Sequence, residues 1–253
     1  MTNPKGFIWY ELMTSDMAGA ERFYGAVVGW KGQPFGAGMP YVVMNAGERG
    51  VAGIMTTPAD VAASGMPSMW LGYIYADDVD AATDSLKAAG GKVHQPPTDI
   101  PEVGRFSVVA DPQGATFMMM TPKGPDMPPV PPGTAGHIGW HELYAADWSS
   151  AFDFYAGQFG WTKTRTSDMG PMGTYQLFAI DGVEAGGMMN KPEQVPVPVW
   201  CYYFNVSDIN AAAKRVTDNG GKVLMGPHEV PGGMWILQGM DPQGAVFALL
   251  ALA

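Results

Sequence analysis

A single cysteine, Cys201, stands in 253 residues. That excludes an intramolecular disulfide framework and any thiolate metal cluster, and it fits a reducing compartment. Cations are also scarce: fourteen Lys and Arg against twenty-four Asp and Glu leave a formal charge of −10, and no basic run could track a phosphate backbone. Nucleic acid is not an expected partner. The 34 glycines follow no strict period, which excludes a collagen, and 11% aromatic residues exclude a disordered chain. The stretch Met1 to Leu12 holds an apolar segment of about six residues broken by Glu11, too short for a signal-peptide core or a bilayer span. The expectation is a cytoplasmic protein with no membrane partner.

What the chain does have is an internal repeat. Trp9-Tyr-Glu-Leu-Met-Thr-Ser-Asp16 through Phe23-Tyr24 to Gly29-Trp30 recurs 131 positions later as Trp140-His-Glu-Leu-Tyr-Ala-Ala-Asp147 through Phe154-Tyr155 to Gly160-Trp161. Trp70 to Val93 recurs 130 later as Trp200 to Val223, and Asp111-Pro-Gln-Gly-Ala-Thr-Phe117 as Asp241-Pro-Gln-Gly-Ala-Val-Phe247. The blocks divide the chain into a first domain over 1–121, a Pro-rich semi-rigid linker over 122–136 and a second domain over 137–253.

Within each copy, short aromatic-rich strands alternate with two helices. Phe7 to Met13 is a strand that ends at Ser15-Asp16, where the carboxylate can cap a helix whose apolar face is Ala20, Phe23, Tyr24 and Val27 and whose stop is Gly29. The second copy repeats this with Asp147 as cap, Ala151, Phe154, Tyr155 and Gln158 or Phe159 on the face, and Gly160 as stop. Tyr41 to Asn45 and Val51 to Met55 are further strands. A second cycle runs from strand Trp70 to Ala76 through cap Asp78, helix face Val79, Ala82 and Leu86, and stop Gly90-Gly91. It ends in strands near Lys92, at Phe106 to Ala110 and at Ala115 to Thr121, joined by the Asp111-Pro-Gln-Gly114 turn. The order β-α-β-β-β occurs four times, an α+β chain.

A strand ending in Asp, a helix carrying Phe-Tyr, a Gly-Trp stop, a later strand ending in Asp-Asp-Val-Asp and a closing Asp-Pro-x-Gly hairpin together resemble the vicinal oxygen chelate superfamily. That superfamily contains glyoxalase I, extradiol dioxygenases and the fosfomycin- and bleomycin-resistance proteins. The tandem arrangement is similar to two-domain glyoxalase-like proteins of actinobacteria and proteobacteria. The resemblance implies that in each copy two βαβββ modules form a curved mixed sheet around a small-molecule pocket. In enzyme members the pocket holds a divalent metal. Carried onto this sequence, the first ligand position falls on Trp9 and Trp140, the second around Trp70 and Leu71 or Trp200 and Cys201, and the closing glutamate on Met118 and Ala248. Those side chains do not hold a hard or borderline dication. No metal and no other cofactor is therefore expected, and Cys201 reads as a small buried hydrophobe.

Other residues can still bind or react. Strand alternation places Trp9 with Glu11, and Trp140 with Glu142, on one face. If that face is the pocket, each carboxylate is desolvated, with its pKa raised toward the range of a general base, so Glu11 and Glu142 are the catalytic candidates. The competing reading makes each a structural hydrogen-bond acceptor. Arg105 is positioned to reach an anionic ligand or to pair with an acidic residue, and Trp235 stands at its place in the second copy. His94, His137, His141 and His228 show no metal spacing, and His141 faces away from Glu142. Nineteen methionines, with Met118-Met119-Met120 in one strand, suit a core or the wall of a pocket for planar apolar ligands. The expected substrate-binding residues are Trp9, Glu11, Arg105, Met118, Trp140 and Glu142.

These residues lead to a small-molecule binding protein that lacks the superfamily metal, with sequestration or a metal-independent lyase or isomerase reaction as its activity. A metal-dependent lyase or dioxygenase using Glu11, Glu142 and a histidine is one alternative, and a non-catalytic interaction protein is another. An internal pseudo-twofold favours a monomer over a dimer.

Overall fold

A computed structural model describes residues 5–36, 40–124 and 128–252. The first copy contributes β1 (Phe7–Thr14), α1 (Met17–Val28), β2 (Lys31–Pro34), β3 (Tyr41–Ala46), β4 (Arg49–Thr56) and α2 (Ala59–Ala63). It continues with β5 (Met69–Tyr75), α3 (Val79–Ala88), β6 (Lys92–Ile100), β7 (Gly104–Ala110) and β8 (Thr116–Pro122). The second contributes β9 (Ile138–Ala145), α4 (Trp148–Phe159), β10 (Thr162–Asp168), β11 (Thr174–Ile180), β12 (Val183–Asn190), β13 (Val199–Asn205), α5 (Ile209–Asp218), β14 (Lys222–Val230), β15 (Met234–Met240) and β16 (Val246–Ala251). The α+β expectation holds: two eight-stranded sheets run in the orders β2-β3-β4-β1-β5-β8-β7-β6 and β10-β11-β12-β9-β13-β16-β15-β14. In every module the first strand pairs parallel with the last, as β1 does with β4 and β13 with β16.

Local chemistry sets the element ends where the sequence places them. Asp16, Asp78, Asp147 and Asp208 each accept a backbone N–H from the first turn of the helix that follows. Gly29 (φ 90°) and Gly160 (φ 74°) stop α1 and α4 in the left-handed region that glycine enters without strain. The strand Lys31–Pro34 has no sequence signal, because it is a polar edge strand without apolar alternation. In the stretch 122–136, residues 125–127 lie outside the described residues, and the remainder carries no helix or strand beyond Pro122.

The chain folds into two compact units that cut across the repeat: residues 1–8, 72–128 and 141–200 form one, and 9–71, 129–140 and 201–253 the other. Each unit joins half of one copy to the complementary half of the other, and each is held by the same buried relay. In the unit containing α1 and α5, Trp70 Nε1 donates to Tyr24 Oη at 2.8 Å and Tyr24 Oη donates to Asp241 Oδ2 at 3.1 Å. In the unit containing α3 and α4, Trp200 Nε1 donates to Tyr155 Oη at 2.9 Å and Tyr155 Oη to Asp111 Oδ2 at 3.2 Å. The other oxygen of each aspartate accepts two amides of its own Asp-Pro-Gln-Gly turn, those of Gln113 and Ala115 or of Gln243 and Ala245, at 2.8–2.9 Å. Burial nevertheless raises the pKa of both aspartates, outweighing these bonds.

The two helix pairs close differently. Phe23 of α1 is buried, whereas its counterpart Phe154, expected on the buried face of α4, is half-exposed. The second glycine of each Gly-Gly stop has a different neighbour. A Cβ on Gly221 would meet Phe23 Cε2 at 2.7 Å, while a Cβ on Gly91 would overlap Leu86. Val216 stands at the position matching Leu86 and is one carbon shorter, which leaves that space to Phe23.

Replacing Tyr24 by Phe removes the acceptor of the Trp70 N–H and the donor to Asp241 in one step. The expected loss is about 1–3 kcal/mol of unfolding free energy in a urea titration. An unchanged midpoint would show that the relay contributes nothing.

Candidate functional site

On β1, Trp9 and Glu11 share the face opposite Tyr10 and Leu12, and β3 adds a third member from across β4. Trp9 Nε1 donates to Tyr41 Oη at 3.0 Å, and Tyr41 Oη donates to Glu11 Oε2 at 3.0 Å. Glu11 is 5% exposed. Gly53, the register partner of Glu11 on β4, makes the arrangement possible, since any Cβ there would overlap the Tyr41 phenol. Burial first, and the Glu11 charge second, push the Tyr41 pKa far up, so its hydroxyl stays protonated and donates. The triad presents an indole, a phenol and a carboxylate with their polar atoms in one chain of bonds.

The second copy keeps the parts. Glu142 is buried and registers with Gly187 on β12, and a Cβ on Gly187 would overlap the ring of Tyr175. Trp140 is half-buried. Neither tyrosine stands out from the sequence as a site residue, yet a signal is there: Tyr41 precedes Gly53 and Tyr175 precedes Gly187 by the same spacing, on strands that pair.

The other candidates are placed apart from these faces. Arg105, considered for a ligand anion, donates from Nε and Nη2 to Asp80 at 2.7 and 2.9 Å and lies 3.3 Å from Asp99. It shares its strand face with Ser107, whose hydroxyl meets Thr83 of α3, so its guanidinium is turned to the helix. The acidic-partner reading is the one the structure takes. Trp235, three residues from Gln238 on β15, is on the face opposite the one from which Gln238 bonds Tyr203. Met118 is buried in register with Tyr73, which contacts Phe106.

His141 faces away from Glu142, as alternation requires. Its Nδ1 donates to the Ala185 carbonyl at 2.7 Å, and its ring stacks on Phe7 at 4.3 Å. Burial lowers its pKa to about 4, the carbonyl bond opposing only in part. Among the described residues, no group of three or more His, Cys, Asp or Glu side chains is placed to hold a metal ion, so the alternative ligand set of Glu11, Glu142 and a histidine is not assembled.

Comparison with known proteins now decides the family. The model of the Glyoxalase/Bleomycin resistance protein/Dioxygenase superfamily matches residues 6–119 and again 135–249. The chain belongs to this superfamily. It is 32% identical over 248 residues to CFP32 of Mycobacterium tuberculosis, which carries a provisional glyoxylase designation, covering 96% of this chain and 93% of the relative. It is 30% identical over 258 residues to the anthracycline biosynthesis protein DnrV of Streptomyces peucetius, covering 96% and 92%. Among solved structures, the Mn(II)-bound glyoxalase from Novosphingobium aromaticivorans superposes with a TM-score of 0.66 at 16% identity, covering 98% of this chain and 82% of that one. At that identity the likeness is one of fold.

Superfamily membership raises the question of a metal, and the side chains at the inherited positions do not fit one. Trp9 has its indole N–H on Tyr41, and Trp70 and Trp200 have theirs in the relays. Leu71, Met118 and Ala248 are buried and offer methyl groups or a thioether, and Cys201 is a buried thiol on its strand. A divalent ion needs imidazole, carboxylate or thiolate donors in convergent numbers, and here they do not converge.

The His141 ring carries a pH consequence. Its folded pKa lies below the ordinary value of 6.5, so its contribution to stability is complete above pH 6.5 and is lost as pH falls toward 4. The loss is on the order of 3 kcal/mol from this group alone. Urea titrations between pH 7 and 4.5 should show a decline that flattens in His141→Tyr, which installs the residue found at the matching position, Tyr10. Parallel declines in the two proteins would show that His141 is not its source.

Proposed function

We propose that this superfamily member binds a small apolar or aromatic molecule on the strand face of Trp9, Tyr41 and Glu11, without the superfamily's metal. The bonded triad carries the reading. It occupies the place from which the family's first metal ligand would project, and it offers a stacking surface beside a fixed hydrogen-bond donor and acceptor. The relative named for anthracycline biosynthesis supports an aromatic ligand, anthracyclines being planar polycyclic compounds. Tyr175 and Glu142 supply the corresponding parts of a second, separate face.

The same triad suits a metal-independent lyase or isomerase reaction. Glu11 would take a proton from a carbon of the substrate and return it to a neighbouring atom, a transfer that needs no oxidant. Tyr41 would steady the carboxylate through its hydroxyl, and Trp9 would hold the phenol in place. Cytoplasmic location and a monomeric state belong to the same proposal. Among the described residues no helix is long and apolar enough to cross a membrane.

Alizarin, a planar anthraquinone, is a suitable probe, followed by quenching of tryptophan fluorescence. Glu11→Gln should weaken its binding about tenfold, a loss of about 1.4 kcal/mol, while the melting temperature moves little. Unchanged affinity with a clearly lowered melting temperature would make the triad a structural bond network. Emission spectrometry on dialysed protein should find zinc, nickel, iron and manganese all below stoichiometric amounts. About one ion per chain would contradict the metal-free reading.

A further inference from the structure

Matching helix ends in the two units are satisfied in different ways. In the unit containing α1 and α5, Arg215 of α5 reaches across to α1, where its Nε and Nη2 both donate to the Val27 carbonyl at 3.2 and 3.0 Å. The last carbonyls of a helix have no partner within it and form the negative end of its dipole. α1 carries no basic residue in its last turn, so Arg215 supplies from the neighbouring helix the cation that α1 lacks.

In the unit containing α3 and α4 the same end has no such cation. The residue matching Val27 is Gln158, and the residue matching Arg215 is Ser85, whose hydroxyl is far shorter than a guanidinium arm. α4 likewise has no basic residue in its last turn. Between Ala89, the C-cap of α3, and the length of α4 from Ser150 to Gln158 lies a groove of about 320 Å³, with Pro112, Gln113, Asp153 and Phe154 among its walls. Phe154 lines it as a half-exposed ring. The charged side chain in its lining is anionic: Asp153, which also lies 3.8 Å from Lys163 Nζ. The C-terminal ends of α3 and α4, a carboxylate and an aromatic ring border this groove together with the first turn of α4; Lys87 in the last turn of α3 is outside the lining, and the lining itself holds no Lys or Arg, in a chain of net charge −10.

We propose that this groove binds a small alkylguanidinium molecule, which takes at the end of α4 the place that Arg215 takes at the end of α1. The guanidinium donates to the terminal carbonyls around Gln158, and the alkyl stem lies along Phe154 and Pro112. The site is independent of the Trp9–Tyr41–Glu11 face, and it survives or fails separately from that reading.

Agmatine is the probe, titrated into the full ¹⁵N-labelled chain, with uncharged butylurea as the matched neutral control. Agmatine should shift the amides of Ala89, Gly157 and Gln158 saturably, and butylurea should not. Ser85→Arg should weaken agmatine at least about tenfold, because the new side chain fills the groove, while Ser85→Ala should bind as the parent does. Arg215→Ser should open a second saturable set of shifts at Val28 and Gly29. Agmatine shifts that scatter over the acidic surface without saturating would overturn the proposal, as would a Ser85→Arg protein that titrates like the parent.

Discussion

The fold depends on a phenol that cannot be satisfied by its own copy of the repeat. Tyr24 comes from the first copy and its aspartate, Asp241, from the second, while Tyr155 comes from the second copy and Asp111 from the first. Each tyrosine is fully buried, and so is nearly all of each aspartate. A copy standing alone would leave a buried carboxylate without its phenol and a buried phenol without its acceptor, each worth about 1–3 kcal/mol. The exchange of partners is therefore a physical reason for the tandem architecture. It also explains why the compact units of the chain cut across the repeat that the sequence displays.

Much of this is legible in the sequence, because the repeat marks its own capping and stopping chemistry. Aspartates before helices, glycines after them and the Asp-Pro-Gln-Gly turns are local signals, and all lie where the spacing puts them. The buried faces are harder. Phe23 and Phe154 stand at matching places in the repeat, yet Phe23 is buried while in the second copy it is Phe152 that is buried and Phe154 that is half-exposed. The strand Lys31–Pro34 escapes a sequence reading because an exposed polar edge has no periodicity to read.

The candidate site divides along the same line. The pairing of Trp9 with Glu11 on one face follows from strand alternation, which is intrinsic to the strand. Tyr41 joins them from a strand that is not adjacent in sequence, across a glycine whose missing side chain leaves the room for its ring. Arg105 shows the reverse case: sequence leaves an anionic ligand and an acidic neighbour equally open, and the helix packed on β7 supplies Asp80. At the first ligand position that the resemblance implies, the chain places an indole bonded through a phenol to a carboxylate.

That arrangement can be tested in a single crystal structure of the chelator-treated protein soaked with alizarin. Ligand density is expected against the Trp9 indole, with a ligand oxygen within hydrogen-bonding distance of Glu11 or Tyr41 and no metal between them. Density at that face that appears only when a divalent metal is added, or ligand bound elsewhere with the triad untouched, would contradict a metal-free aromatic site.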